Sequence, residues 1–402
     1  MEAVTPKIVK DGTPDQRAFL PTRILSAARV VGWHSEFRIP NSEFTRYSDL
    51  MSRIAVLCSG GVDSSVALMR LVEEGEHELT AFYLKIWLED EMAFLGHCPW
   101  EEDLRYVQEV CSAASVPLEI ISLQQEYLQT VVAYALDELS AGHTPSPDVM
   151  CNRMIKFGAF VDRVGDRFDL VASGHHARVA HRDGLARLLR SADRRKDQTY
   201  FLSQMYQAQL ARSLFPIGDL TKDEVRAAAR GFDLPNAGRP DSQGICFLGR
   251  VPFNDFVRHH LGDHPGEIRE LSSGKILGEH RGTWFHTIGQ RRGLGLGGGP
   301  WYVAGKDHEQ NLILVVHADD LAGQARHRFS IFSPHWIAES PARGDLQVRI
   351  RHGERLDPCT VSALGNGSLN VEFDATSDPG IAPGQFAVLY DGEECLGGGV
   401  IE

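Results

Sequence analysis

Two of the seven cysteines stand in settings suited to sulfur chemistry. The stretch TPSPDVMCNRMIKFG, residues 144–158, places Asp148 three residues before Cys151. Pro145 and Pro147 stiffen the loop and fix an extended approach. A helix starting after Pro147 would turn both side chains to one side near its N-terminus, where a thiol's pKa falls below its usual value of about 8.5. Asp148 alone would raise that pKa, so its carboxylate reads better as a group that handles a proton or a substrate. The other setting is DSQGICFLG, residues 241–249, which holds Cys246 in a glycine-bounded loop. A lone Cys between Ile and Phe also serves as small core filler. The remaining cysteines, Cys58, Cys98, Cys111, Cys359 and Cys395, are scattered. An odd, dispersed set is no disulfide framework, and without a CxxC pair a structural zinc site is not expected. A reducing compartment is.

A third chemical feature is RIAVLCSGGVDSSVALMRL, residues 53–71. It has an apolar strand, a Gly-Gly turn and a helical run. Gly60 and Gly61 let backbone N–H groups approach phosphate oxygens with no Cβ in the way. The following helix points free N–H groups and about half a positive charge at the same place. Ser59, Ser64 and Ser65 add hydroxyl donors. No Lys follows the glycines, so this is not the common ATP-binding loop G-x-x-x-x-G-K-[ST]. Asp63 would repel phosphate on its own, which points to a bound Mg²⁺.

The elements that must position these groups fall into two textures. From Arg53 to about Arg250, strand-like runs (RIAVLC, ELTAFYL, PLEIISL, FDLVASG) alternate with helical ones (SSVALMRLVEEG, EEDLRYVQEVCSAASV, EYLQTVVAYALDELSAG). This predicts a parallel sheet covered by helices on both faces, with ligands beyond the carboxyl ends of its strands. After about Val251, Gly and Pro are dense. Short β-like runs follow: TWFHTIG, WYVAGKD, NLILVVH, LQVRIRH, SLNVEFD, FAVLYDG and CLGGGVIE. These predict small all-β, barrel-like modules. The expected organisation is an N-terminal extension over 1–50, an α/β domain over 51–250, a small β domain over 251–325 and a β-barrel over 326–402. Residues 1–50 lack sustained periodicity and read as disordered or as a targeting segment. Their acids, from Glu2 to Asp49, argue against an organelle transit peptide.

Composition bounds the function classes. With 402 residues, 43% hydrophobic and 24% charged, this is an ordinary globular chain with sizeable cores. No apolar run approaches the roughly 20 residues that span a bilayer, and a membrane partner is not expected. A net charge of −13 argues weakly against nucleic acid. A local basic run exists, however: Arg178, Arg182, Arg187, Arg190, Arg194, Arg195 and Lys196 face only Asp183 and Asp193. By itself the run reads as a solvated hairpin.

SGGVDSS between strand and helix resembles the PP-loop of ATP pyrophosphatases, which split ATP between the α and β phosphates. In order along the chain come SGGVDSS, TPSPDVMCNRMIKFG, ASGHHARV, KDQTYFL, DSQGICFLG, HTIGQRRGLGLGG, WYVAGKD and APGQ. Together they resemble the MnmA-type tRNA-uridine 2-sulfurtransferases, over residues 53–402. The resemblance implies a PP-loop, adenine nucleotide alpha hydrolase-like α/β domain followed by two small barrel-like β domains. It implies ATP with Mg²⁺ as cofactors and the wobble uridine of a tRNA anticodon loop as substrate. A cysteine desulfurase or relay protein would be the persulfide donor, in the cytoplasm or in an organelle stroma or matrix. Cys246 would carry the persulfide and Cys151 would release its sulfur, with a Cys151–Cys246 disulfide closing one cycle. Leu57, Cys58, Ser59, Gly60, Gly61, Val62, Asp63, Ser64, Leu84 and Gly174 would hold ATP. Ser146, Pro147 and Asp148 would meet the target base. His175, Lys196, Asp197, Gln198, Arg351, His352 and Gln385 would contact tRNA, which gives the basic run ending at Lys196 a use. Two positions depart from the family pattern. Ser146 stands where Asn is usual, and His352 where Tyr follows Arg.

Other readings fit parts of the chain. Another PP-loop adenylating enzyme of the synthetase type explains SGGVDSS but not the two cysteine loops. An iron–sulfur tRNA thiolase would use Asp148, Cys151 and Cys246 as cluster ligands. A tRNA-binding chaperone without catalysis would not require both cysteines and a complete loop.

Overall fold

Ile54, Val56, Ala81 and Tyr83 face one hydrophobic core, while Ala55, Leu57 and Phe82 face another. Such alternation is what two strands of a sheet covered on both faces must show. The computed structural model describes residues 51–86, 99–241, 252–341, 344–375 and 377–402. Strand β1 (Arg53–Leu57) is central in a five-stranded sheet. β2 (Glu78–Lys85) and β3 (Leu118–Ser122) lie to one side of it, β4 (Leu170–Ser173) and β7 (Ser213–Leu214) to the other. All neighbours are parallel, as the strand–helix alternation predicts. The chain reverses its direction of travel between β1 and β4. Their last residues, Leu57 and Ser173, sit side by side, so the loops that leave them open a crevice at this switch point.

Helix α1 (Val62–Glu74) ends where expected, at Gly75 with φ 68°, whose N–H reaches Leu71 O. Two other helices, over 124–140 and 147–164, depart from the regular form that apolar spacing predicts. Each contains a wide π stretch, Leu128–Val132 in one and Asn152–Ala159 in the other. In the second, a Cβ on Gly158 would lie 2.8 Å from Arg153 O, so the wide turn needs a glycine there. The Gln209 amide donates to Arg153 O and Phe157 O at 2.9 Å each, satisfying carbonyls within the π stretch.

The second sheet runs β10 (Trp301–Asp307), β11 (Leu312–His317), β8 (Gly266–Glu270), β9 (Ile276–His280). Ile268, Leu294, Val303, Ile313 and Val315 form its core. TWFHTIG, expected as a strand, instead forms a single 3₁₀ turn, Thr283–Phe285. Trp284 and Phe285 pack against the core of the α/β domain rather than along a pleat.

The third sheet closes into a barrel. β12 (Arg328–Trp336), β15 (Leu369–Phe373), β14 (Asp357–Ala363), β13 (Asp345–Arg349), β16 (Phe386–Asp391) and β17 (Glu394–Ile401) follow in order, and β17 pairs back onto β12. The glycines of CLGGGVIE permit this. A Cβ on Gly398 would sit 2.0 Å from Ala387 O.

The basic run belongs to this architecture, with Arg182 and Arg195 left exposed. β5 (Ala177–Arg182) and β6 (Leu185–Arg190) form a hairpin that joins the barrel sheet, Leu188 opposite Cys395 and Leu189 opposite Glu394. Its cations meet acids across the domain boundary: Arg178 and Arg194 hold Glu393 at 2.9 and 2.5 Å, and Arg187 holds Glu394 at 3.1 Å. Arg178 and Arg194 share the one Glu393 carboxylate and each stays 37% exposed, so these pairs dock the hairpin on the barrel without using up its positive charge.

Beneath the hairpin lies a fully buried pair. Asp197 Oδ2 accepts from Arg349 Nη1 at 2.9 Å. Asp197 also takes the Thr199 hydroxyl at 2.9 Å and the Ser191 N–H at 3.3 Å, and the Arg349 cation lies 5.0 Å over the Tyr390 ring. Removing one buried partner strands the other, so Asp197→Ala is expected to lower unfolding free energy by about 3–5 kcal/mol in urea. Adding Arg349→Met to that variant should recover part of the loss.

Candidate functional site

The glycine turn is built by close backbone approach. Gly60 has φ 77°, and a Cβ there would lie 2.6 Å from Asp103 O on the helix Pro99–Ala114. At the end of β4, a Cβ on Gly174 would lie 2.5 Å from Ser64 N at the start of α1. The expected Gly60 and Gly174 thus converge on one cradle at the switch point. Ser64 and Ser65 hydroxyls donate to Gly61 O at 3.0 and 3.1 Å, and Ser59 N–H donates to Ser64 Oγ at 3.2 Å. Asn236, not singled out by sequence, anchors the turn from behind. It is buried, and its amide reaches both Gly60 O and Ser65 Oγ at 2.9 Å.

Leu57, Cys58 and Val62 are buried in the core, so their side chains support the cradle rather than line it. The Cys58 N–H is spent on Phe82 O at 2.9 Å. Leu84 is half-buried near the carboxyl end of β2.

Charged groups gather beside the cradle. Asp63 Oδ1 lies 2.6 Å from Lys222 Nζ and 3.7 Å from His176 Nε2. Lys222 Nζ also meets Asp241 at 2.8 Å, and Asp241 holds Lys196 at 2.7 Å and Arg226 at 2.6 Å. Burial would raise the Asp63 carboxyl, but the nearby His176 ring and the Lys222 ammonium outweigh it and hold the group below the usual carboxylate range. Asp241 is driven far below that range by Lys196 and Lys222, against the upward pull of burial. Lys222, Arg226 and Asp241 are groups that sequence reasoning missed. The available signal was the capping box of Thr221 and Glu224, which starts helix Lys222–Gly231 and sets Lys222 at its first position.

The second site is a cavity of about 430 Å³ where the α/β domain, the small β sheet and the barrel meet. Ser146, Pro147 and Asp148 enter its wall from the α/β domain, Trp284 and Phe285 from the 3₁₀ turn of the small β domain, and His352 and Gln385 from the barrel. Ser146 precedes the helical turn Pro147–Cys151, and its N–H donates to Tyr134 Oη at 3.3 Å. Asp148 reaches the cavity, whereas Cys151 is 1% exposed and packs among core side chains. A spacing of three therefore does not turn both groups to the cavity. Cys246 lies outside the described residues, as does most of its motif.

Of the residues expected at RNA, some line the cavity and some do not. The His352 ring stacks on Phe201 at 4.5 Å and 26°, so the departure from Tyr keeps a flat aromatic surface. Arg351 is exposed and paired with Asp378 at 2.6 Å. Lys196 keeps 42% of its side chain exposed. Gln198 Oε1 accepts from His176 N–H at 2.8 Å. Two placements correct the expectation: Asp197 and His175 face inward. Asp197 is 1% exposed in the pair described above. His175 is 8% exposed, bonded to Ser173 Oγ at 2.8 Å and set between Phe157 and Phe215. Phe201, Phe253, Asn254 and Trp284 line the cavity without having been singled out as site residues.

Three family models match the chain in succession. They are the tRNA methyl transferase HUP domain over 52–250, the tRNA methyl transferase PRC-barrel domain over 254–317 and the aminomethyltransferase beta-barrel domain over 326–401. The tRNA-specific 2-thiouridylase MnmA 1 of Bacteroides thetaiotaomicron is 45% identical over 355 residues, covering 87% of this chain and 99% of its own. The chain belongs to the tRNA-specific 2-thiouridylase family. Other 2-thiouridylases are nearly as similar: that of Parabacteroides distasonis at 43% and that of Porphyromonas gingivalis at 42%, each covering 87% of this chain and 98% of its own. In this 2-thiouridylase the cradle and the cavity are both built around loops of the α/β domain.

His175 supplies a pH test of that packing. Burial holds its pKa well below 6.5. The folded state therefore keeps it neutral while the unfolded chain takes up a proton, so stability is lost as pH falls below about 6.5. The expected slope is about 1.4 kcal/mol per pH unit from this residue. His175→Asn should flatten the slope in urea titrations between pH 4.5 and 6.

Proposed function

We propose that this protein catalyses ATP-dependent 2-thiolation of the wobble uridine of tRNA. The observation that carries the proposal is 42–45% identity to tRNA-specific 2-thiouridylases across 87% of the chain. The geometry supports it. A phosphate cradle and an aromatic-walled cavity are what adenylation of an extruded base requires. The Phe201–His352 stack and the indole of Trp284 offer flat surfaces to a pyrimidine.

In this reading ATP lies with its phosphates against Gly60, Gly61, Ser64 and Gly174. Supporting it, Gly60 and Gly174 hold the turn against Asp103 O and Ser64 N so closely that neither position admits a Cβ, which fixes the backbone between β1, β4 and α1. Among the described residues no group of three or more His, Cys, Asp or Glu is gathered for a metal. The single Asp63 carboxylate suits Mg²⁺, which binds through one or two carboxylates plus phosphate oxygens and water. Such an ion would supply neutralisation of charge on the departing pyrophosphate.

AMP transfer to the uridine 2-oxygen turns a poor leaving group into a good one. The terminal sulfur of a Cys246 persulfide then bonds to carbon 2, and AMP leaves with the oxygen. Cys151 thiolate attacks the Cys246 sulfur, breaking its S–S bond and leaving the outer sulfur on the base. The product is 2-thiouridine with a Cys151–Cys246 disulfide, which an external dithiol reduces. Asp148 at the cavity wall takes up a proton or orients the base. Ser146, Pro147, Arg351, His352, Gln385, Lys196 and Gln198 are the proposed RNA-side contacts, and a cysteine desulfurase or relay protein charges Cys246.

The test is nucleoside mass analysis of tRNA incubated with protein, ATP, Mg²⁺ and a persulfide donor. Exchange of oxygen for sulfur at uridine is expected. Cys151→Ser and Cys246→Ser should each lower product formation at least about a thousandfold, as loss of a nucleophile does. Cys151→Ser should still form AMP on tRNA. Undiminished thiolation by Cys246→Ser would overturn the persulfide route.

A further inference from the structure

The glycine turn lacks a lysine, yet the structure brings one to it. Lys222 Nζ stands 2.6 Å from Asp63 Oδ1, two residues beyond Gly61, and only 13% of its side chain is exposed. Its backbone is fixed. Thr221 and Glu224 cap the helix reciprocally, and the Lys222 N–H donates to Asp193 Oδ2 at 3.0 Å. The side chain alone is left to choose a partner.

Its second partner is Asp241, which three cations share: Lys196, Lys222 and Arg226, at 2.6 to 2.8 Å. A carboxylate oxygen at this distance occupies the place a phosphate oxygen takes on an ammonium group. Counted with Asp63, three cations face two carboxylates beside a helix N-terminus already suited to anions.

We propose that Lys222 is the phosphate-binding cation missing from the glycine turn, and that Asp241 holds its place until the β- and γ-phosphates of ATP displace it. The inference rests on the nucleotide reading above and deepens it. Asp63 is the hinge of the exchange. It keeps one Lys222 contact while the amine turns toward the polyphosphate. Arg226 remains on Asp241, so the displaced carboxylate is not left unpaired inside the protein. A lysine suits this task as a compact, freely rotating point charge. Lys196, 42% exposed, is the second cation released by the same step.

Calorimetric titration of the full-length protein with inorganic pyrophosphate, ATP and AMP tests this. Wild type should bind all three. Lys222→Met should weaken pyrophosphate and ATP at least about tenfold, because a charge-assisted contact is lost, while AMP affinity stays within about twofold. Lys222→Arg should recover most of the affinity, and Asp241→Asn should tighten pyrophosphate several-fold by removing the competing anion. Unchanged AMP binding also reports that each variant is folded. Wild-type pyrophosphate affinity in Lys222→Met would overturn the role of Lys222. Weaker pyrophosphate binding in Asp241→Asn would overturn the displacement. A wild type that binds neither ATP nor pyrophosphate would sink the nucleotide reading itself, and this inference with it.

Discussion

Asp197 and Arg349 meet at 2.9 Å with side chains 0% and 1% exposed. Taking two such charges out of water costs several kcal/mol for each, so the pair persists only because other donors fill the carboxylate's lone pairs. Arg190, Ser191 N–H and the Thr199 hydroxyl do this. The pair is a buried link between the barrel and the α/β domain, beside the β6–β17 pairing and the bond from Tyr200 Oη to Phe386 O. That in turn sets the cavity, because Phe201 follows closely after Asp197 and His352 closely after Arg349. Their stacked rings are presented by the segments the ion pair clamps together.

The two chemical centres are joined through short connections. β4 ends in the cradle at Gly174, passes through buried His175 and His176, and continues as the hairpin that enters the barrel sheet. His176 N–H is held by Gln198, in the same segment as Lys196 and Asp197. Glycine cradle, cation cluster and barrel are therefore tied to one continuous stretch of chain.

The parallel sheet, the close of α1 at Gly75 and the glycine cradle were legible because each depends on local rules: alternation, capping and close backbone approach. The barrel strand Arg328–Trp336 escaped notice because Pro334 and a register shift break its pattern. The strand expected at TWFHTIG failed because its aromatic side chains found a better surface in another domain. The acidic partners of the basic run were out of reach for a related reason. Glu393 and Glu394 lie some two hundred positions away. Lys222 and Asp241 were passed over for the same cause: a capping box places Lys222 at a helix start, but what makes the two residues interesting is each other and Asp63. Sequence reading located the glycine turn. It did not locate the cations that a folded chain brings there.

The shared strand β17 has a consequence for biosynthesis. Its first residues pair with β6, its later ones with β12, and Arg187 reaches Glu394 across 207 positions. A ribosome therefore releases the hairpin long before its partner exists. During that interval β6 presents an open hydrogen-bonding edge, the kind that invites pairing with a stranger. Crowding the edge with arginines gives a nascent hairpin electrostatic repulsion against its own copies, until Glu393 and Glu394 arrive to pair with Arg178, Arg187 and Arg194 and seal the seam.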